Sequence, residues 1–244
     1  MCLKEQGETD KEDSLPRPLR GCRGRVLAIG DVHGCHCALV TLMGSLSISP
    51  SDTVIFLGDL VDRGPASREV VTEILKLCSR CKVIHITGNH EEMMRNALGG
   101  HGLINAWLGA GGQATLDSYG GNFHNVPPDH IRFLVSSVSY YQTDSDIFVH
   151  ASLEPNVSLV NQTSDFLRWK HIGGEERPHI SGKRVICGHT VQADGLPLVF
   201  DGWVCIDTFA HGGKWLTCLD VENDYVFQAS QSGDKREFTL SRYS

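Results

Sequence analysis

Three short segments in the first half of the chain share one pattern: a glycine, then a side chain that can offer oxygen to a cation. They read Gly30-Asp31-Val32-His33-Gly34, Gly58-Asp59-Leu60-Val61-Asp62-Arg63-Gly64 and Gly88-Asn89-His90-Glu91. Carboxylates, amide oxygens and imidazole nitrogens are donors for hard or borderline divalent cations. Asp31 and His33, two apart, can face one ion, and the flanking glycines let the backbone turn tightly. Taken alone, that segment reads equally well as an Asx-type turn beside a surface histidine. The second segment adds two carboxylates and an arginine. A carboxylate can bridge two cations, and a guanidinium fork fits phosphate oxygens. The third offers Asn89 as a neutral oxygen ligand, and His90 as a proton donor whose ordinary pKa lies near neutrality. Glu91 suits the first turn of a helix, where the dipole favours an acid. A surface ion pair between Asp62 and Arg63 would account for the second segment by itself, but not for the recurrence of the pattern.

Each segment follows a short apolar run. Val26 to Ile29, Val54 to Leu57 and Val83 to Ile86 read as buried strands. Between them, Cys35 to Leu46 and Ser67 to Leu77 carry helical spacing, with Leu39, Leu42, Met43 and Leu46 on one face of the first. Strand, helix, strand, helix, strand implies right-handed crossovers and a parallel sheet. Ligands bind beyond the carboxyl ends of such strands, where all three metal-capable segments fall. The second half reads differently. Ala97 to Tyr119 is glycine-rich, helix and loop. His130 to Val138 reads as a helix, and Tyr140-Tyr141 with Ile147 to Val149 as a hairpin ending at His150. Short strands then follow at Arg184 to Cys187, Val204 to Ile206, Trp215 to Leu219 and Tyr225 to Gln228, which suggests a second, mixed sheet. The expected fold is α/β, two stacked mixed β-sheets flanked by helices. It comprises a tail over 1–24, a catalytic domain over 25–229 and a frayed polar tail over 230–244.

Composition bounds the function. Hydrophobic residues make up 41% and charged residues 21%, which suits a soluble globular domain. A net charge of −7 disfavours nucleic acid or an anionic membrane as the main partner. No apolar run is long enough to span a bilayer, and the charged N-terminus lacks the middle of a secretory signal, so the expected compartment is the cytoplasm. Nine cysteines include one C-x-x-C at Cys78 and Cys81. A structural zinc site usually needs two such pairs, so free thiols are the simpler reading.

In this order and spacing, the three segments resemble the metallophosphoesterases of the calcineurin-like superfamily, and within them the phosphoprotein phosphatases of small bacterial and phage type. The resemblance covers Arg25 to Ala229. It implies an α/β/β/α sandwich and further histidine ligands after two later strands, matched by Phe148-Val149-His150-Ala151 and Cys187-Gly188-His189-Thr190. It implies that Asp31, His33 and Asp59 hold one metal, and that Asp59, Asn89, His150 and His189 hold the other. The ions are manganese by family leaning, with iron or zinc as alternatives. Arg63, together with Asn89, is implied to bind the substrate phosphate. A second clamp comes from Asp165-Phe166-Leu167-Arg168-Trp169-Lys170, either Arg168 or, with a small shift, Lys170. His90, oriented by Asp62, is the implied general acid, and His211 the pocket rim or a group reaching the leaving atom. The implied activity is removal of phosphate from phosphoserine or phosphothreonine by direct transfer to an activated water. Hydrolysis of diadenosine tetraphosphate or broad-specificity phosphatase activity is the alternative. An inactive phosphate-binding module is a distant third.

Overall fold

The structure is a computed structural model that describes residues 24–99 and 103–240. The expected N-terminal tail lies almost wholly outside the described residues. The described residues form eleven strands: β1 (Val26–Ile29), β2 (Thr53–Phe56), β3 (Lys82–His85), β4 (Tyr140–Gln142), β5 (Asp146–Val149), β6 (Arg184–Cys187), β7 (Leu198–Phe200), β8 (Trp203–Cys205), β9 (Leu216–Asp220), β10 (Tyr225–Ala229) and β11 (Lys235–Thr239). The helices are α1 (His36–Leu46), α2 (Ser67–Cys78), α3 (Asn89–Leu98), α4 (Ile104–Trp107), α5 (Gln113–Ser118), α6 (Pro128–Val135) and α7 (Ser164–Arg168). A π-type segment, Leu108–Gly112, joins α4 to α5.

The strands form two mixed sheets, ordered β11-β10-β9-β1-β2-β3 and β4-β5-β6-β8-β7. Their side chains sort by the two-residue period of a strand. On the first sheet, Leu27, Ile29, Val54 and Phe56 pack toward α1 and α2. Their neighbours Ala28, Ile55 and Leu57 meet Phe148, Ile186 and Val204 of the second sheet. The far face of the second sheet carries Ile147, Val149, Val185, Cys187 and Trp203, covered by Leu153, Leu167 and Ile172. Three apolar layers therefore separate helices, sheet, sheet and outer cover, as the expected sandwich requires.

Two expectations need correction. Trp215 to Leu219 and Tyr225 to Gln228 do not join the second sheet. As β9 and β10 they extend the first: β9 pairs antiparallel with β1, and β10 antiparallel with β9. Both strands are apolar and short, so pairing could not be read from them. The stretch 230–244 is also not frayed as far as it is described, because β11 pairs antiparallel with β10 along its length. Its alternating exposure leaves few apolar residues to signal a strand. It is held by Arg236, which stacks 4.4 Å over the Trp215 ring and donates to Gly195 O and Gln228 Oε1. Among the described residues, no helix is long and apolar enough to cross a membrane.

Candidate active site

The turns after β1, β2 and β3 sit side by side at the carboxyl edge of the first sheet, and those after β5, β6 and β8 come from the second. Glycine explains how closely they approach. Gly88 and Gly188 have no room for a Cβ, which would collide with Asp59 Oδ1 and Asp31 Oδ1 respectively. Gly58, at φ +107, would drive one to 2.8 Å from His150 Nδ1. At Gly58, Gly88 and Gly188 the space of the missing side chain is thus filled by a neighbouring carboxylate or imidazole. Several side chains around the pocket carry backbone strain instead. Among the described residues eight non-glycine residues have positive φ, and His33, Asp59, Asp62, Arg63, His189 and Phe209 are six of them. Residues held in such conformations cluster at functional sites.

Asp59 is the centre. Its Oδ2 lies 3.4 Å from His33 Nε2 and 4.0 Å from His90 Nε2, while its Oδ1 lies 3.4 Å from His150 Nε2. Metal-capable side chains gather in two groups that share it: His33, Asp59 and His90, and Asp59, His150 and His189. Backbone carbonyls set the imidazole tautomers. His33 Nδ1–H donates to Val61 O at 2.9 Å, and His150 Nδ1–H to Leu57 O at 2.8 Å. Both Nε2 lone pairs are therefore left facing carboxylate oxygen. Asn89 Oδ1 faces the same His150 Nε2 at 2.9 Å. His189 is oriented the other way, Nε2–H donating to Trp169 O at 3.1 Å, which frees Nδ1. Lone pairs converging on lone pairs in a buried pocket call for cations between them.

Electrostatics agree. Burial, with Asp207 and Asp59 nearby, pushes the Asp31 carboxyl well above the usual carboxylate range. Burial and Asp59 likewise raise Asp207 to about 7. Three carboxylates crowd one pocket, an arrangement that bound divalent ions would relieve. Burial alone would raise Asp59 too, but His150, His90 and His33 around it hold it below the usual range. Burial lowers His33, and lowers His189 to about 3, so both present neutral, ligand-ready rings.

Beside this centre stands a proton-bearing pair. His90 Nδ1 and Asp62 Oδ2 are 2.7 Å apart and both are buried. Burial disfavours the charged imidazole, but Asp59 and the Asp62 hydrogen bond outweigh it and raise the His90 pKa. Asp62 is fixed by Trp107 Nε1 and Thr115 Oγ1, which donate to its two oxygens. Those partners were not expected from the sequence, because nothing in the glycine-rich stretch marks them. Glu91 was expected only at a helix start. It does occupy the third position of α3, but its carboxylate also accepts from Gly88 N, Asp59 N and Leu60 N at 2.7–2.9 Å, tying the β2 turn to α3.

The structure brings Asp31, His33, Asp59, Asn89, His90, His150, His189, Asp62 and Arg63 together. Arg63 is exposed at the mouth of the site. Arg168 is engaged elsewhere: its Nη1 donates to Glu92 Oε1 at 2.5 Å and its Nη2 to Ser139 Oγ. Lys170 is exposed and donates its backbone N–H to Asp165 O. His171 stacks on His189 with centroids 4.4 Å apart. His85, His130 and His179 are buried in packing positions.

The chain is similar to known proteins. Residues 24–193 match the family model described as calcineurin-like phosphoesterase. A symmetrical bis(5'-nucleosyl)-tetraphosphatase of Paracidovorax citrulli is 47% identical over 66 residues, 26% of this chain and 22% of that protein. The aligned part thus spans about a fifth of that relative's length. A structure assigned provisionally to a diadenosine tetraphosphatase superposes with a TM-score of 0.63 at 20% identity, covering 90% of this chain and 95% of its own. A Ser/Thr phosphatase of Saccharomyces cerevisiae superposes with 0.57 at 14%, covering 91% and 81%. At those identities the two structures share the fold alone. The family model takes in most of the chain, including the β1, β2 and β3 turns and both late histidines, and the chain belongs to the calcineurin-like phosphoesterases.

Proposed function

We propose that this metallophosphoesterase is a two-metal hydrolase whose first substrate class is the bis(5'-nucleosyl) tetraphosphates. One observation carries the two-metal part: Asp59 turns one carboxylate oxygen to His33 and the other to His150. Asp31, His33 and Asp59 would hold one ion, and Asp59, Asn89, His150 and His189 the other. Manganese is the first choice, and iron or zinc suits the same donors. Such ions, when bound, supply Lewis-acid charge and lower the pKa of water. The chain's own groups do the rest. Arg63 takes the phosphate oxygens, and His90, held by Asp62, gives a proton to the leaving oxygen. Arg168 would join the phosphate only by releasing Glu92. The substrate class is supported by the similarity to the Paracidovorax protein, 47% identical over 66 residues. The seven cysteines among the described residues are free thiols, which suits a reducing compartment such as the cytoplasm.

A protein Ser/Thr phosphatase is the second reading, favoured by the buried His90–Asp62 pair. A serine alkoxide is a poor leaving group that depends on a proton, whereas a nucleotide is a better one and gains less from it. A substrate panel with added Mn2+ separates the two. It contains diadenosine tetraphosphate, phosphoserine and phosphotyrosine peptides and a simple phosphodiester. Turnover of the dinucleotide with inert peptides supports the first reading, and the reverse supports the second. No turnover of any substrate with manganese, iron or zinc would sink both.

A further inference from the structure

Arg63 sits between two imidazole acceptors. Its Nη1 lies 3.1 Å from His33 Nε2 and 3.0 Å from His211 Nε2. The two rings stand edge to face, centroids 4.8 Å apart at 87°. The backbone of Arg63 is held from another element, because its N–H donates to Gly111 O at 3.0 Å. Gly111, at φ +119, packs so tightly that a Cβ there would stand 2.8 Å from Arg63 Cγ. The backbone and stem are therefore fixed, and the guanidinium is steered by the two histidines.

The two acceptors are not equivalent. His33 Nδ1–H is committed to Val61 O, so its remaining lone pair is on Nε2, the atom that also faces Asp59. A ring nitrogen has one lone pair. Once His33 gives it to a cation, it can no longer accept from Arg63. Among the described residues, neither group of metal-capable side chains includes His211. Its ring is wedged instead against Phe209, centroids 4.9 Å apart, and is half-buried.

We propose that His211 is the positioning residue for Arg63, keeping its guanidinium at the phosphoryl subsite when His33 is taken by metal. The inference rests on the phosphoesterase reading above. A guanidinium carries five N–H donors, so one hydrogen bond to His211 leaves the others for phosphate oxygens. The ligand class is a phosphoryl dianion, and inorganic phosphate is the simplest probe.

The test measures Mn2+ affinity and then phosphate affinity by calorimetry, on the full chain loaded with Mn2+. The proteins are wild type, R63A, H211A, the double variant and H211Q. Phosphate binding by H211A should weaken about tenfold, with Mn2+ affinity unchanged, which also shows the variant to be folded. The double variant should bind no more weakly than R63A, since one residue acts through the other. H211Q, whose amide oxygen can accept from Arg63, should recover part of the loss. Additive losses in the double variant would overturn the proposal, by showing that His211 meets the phosphate itself. Undiminished phosphate binding by H211A, or loss of its Mn2+ binding, would overturn it equally. Wild-type protein that binds Mn2+ but no phosphate would instead remove the phosphoesterase reading, and the proposal with it.

Discussion

His90 Nδ1 and Asp62 Oδ2 stand 2.7 Å apart in a buried pair that Trp107 and Thr115 complete from a separate segment. With Nδ1 committed to Asp62, the Nε2 edge of His90 is left toward Asp59 and the site. That geometry suits a proton donor whose orientation is fixed before substrate arrives. Replacing His90 with Asn should lower kcat on an alkyl phosphate by about 100-fold, and on p-nitrophenyl phosphate by much less, because nitrophenolate leaves without a proton. Equal losses on both substrates would show that His90 acts otherwise.

Asp59 touches both metal-capable groups, so its loss should be felt by both ions. Asp59→Asn should remove Mn2+-dependent hydrolysis and leave at most one Mn2+ bound by calorimetry. Two ions bound with wild-type affinity would refute the bridging role.

Glu91 accepts three buried backbone N–H groups, one from the strained Asp59 itself, at φ +49. A glutamine there has one acceptor oxygen and an NH2 that would face donors. Glu91→Gln should cost about 1–3 kcal/mol of stability for each donor left unpaired. It should also weaken Mn2+ binding more than a surface control such as Glu73→Gln. Thermal melts with and without Mn2+ report both effects.

His85 is buried, stacked on Phe133, and neither ring nitrogen has a hydrogen-bond partner. Burial lowers its pKa to about 4 from an ordinary 6.5. The unfolded chain therefore takes up a proton between pH 6.5 and 4 that the folded chain does not. Stability should fall as pH drops through that window, by a few kcal/mol at most. His85→Phe, which keeps the stack and removes the titrating group, should flatten this part of the pH–stability curve. A curve unchanged by the substitution would assign the acid sensitivity to other groups.

How much of this was legible in the sequence depended on distance along the chain. The turns after β1, β2 and β3 could be read because each is local: an apolar run, a glycine, a donor. The glycines could be read as turn residues, but the structure gives a second reason, the close approach of the Ile206 carbonyl to Gly30, of His150 to Gly58 and of Asp59 to Gly88. His150 and His189 followed from resemblance rather than from local pattern, since a histidine after a strand is common. Pairing of β9 with β1, and of β10 with β9, could not be read, because short apolar strands carry no signal of their partner. Trp107, Thr115 and Glu91 act through contacts made only once separate segments meet. Arg168 stands in a motif whose spacing carries no sign that Glu92 lies within reach of its fork.

The site straddles the seam between the two sheets, with Asp31 and Asp59 on one side and His150 and His189 on the other. Its parts come from positions 31 to 211, so no early fragment of a growing chain can assemble it. Contacts of such wide separation close late in folding. Metal affinity should therefore be acquired at the end of refolding, after local helices and strands have formed. Stopped-flow addition of Mn2+ during refolding would then follow the meeting of the two sheets, which makes the cation a clock for the slowest step of assembly.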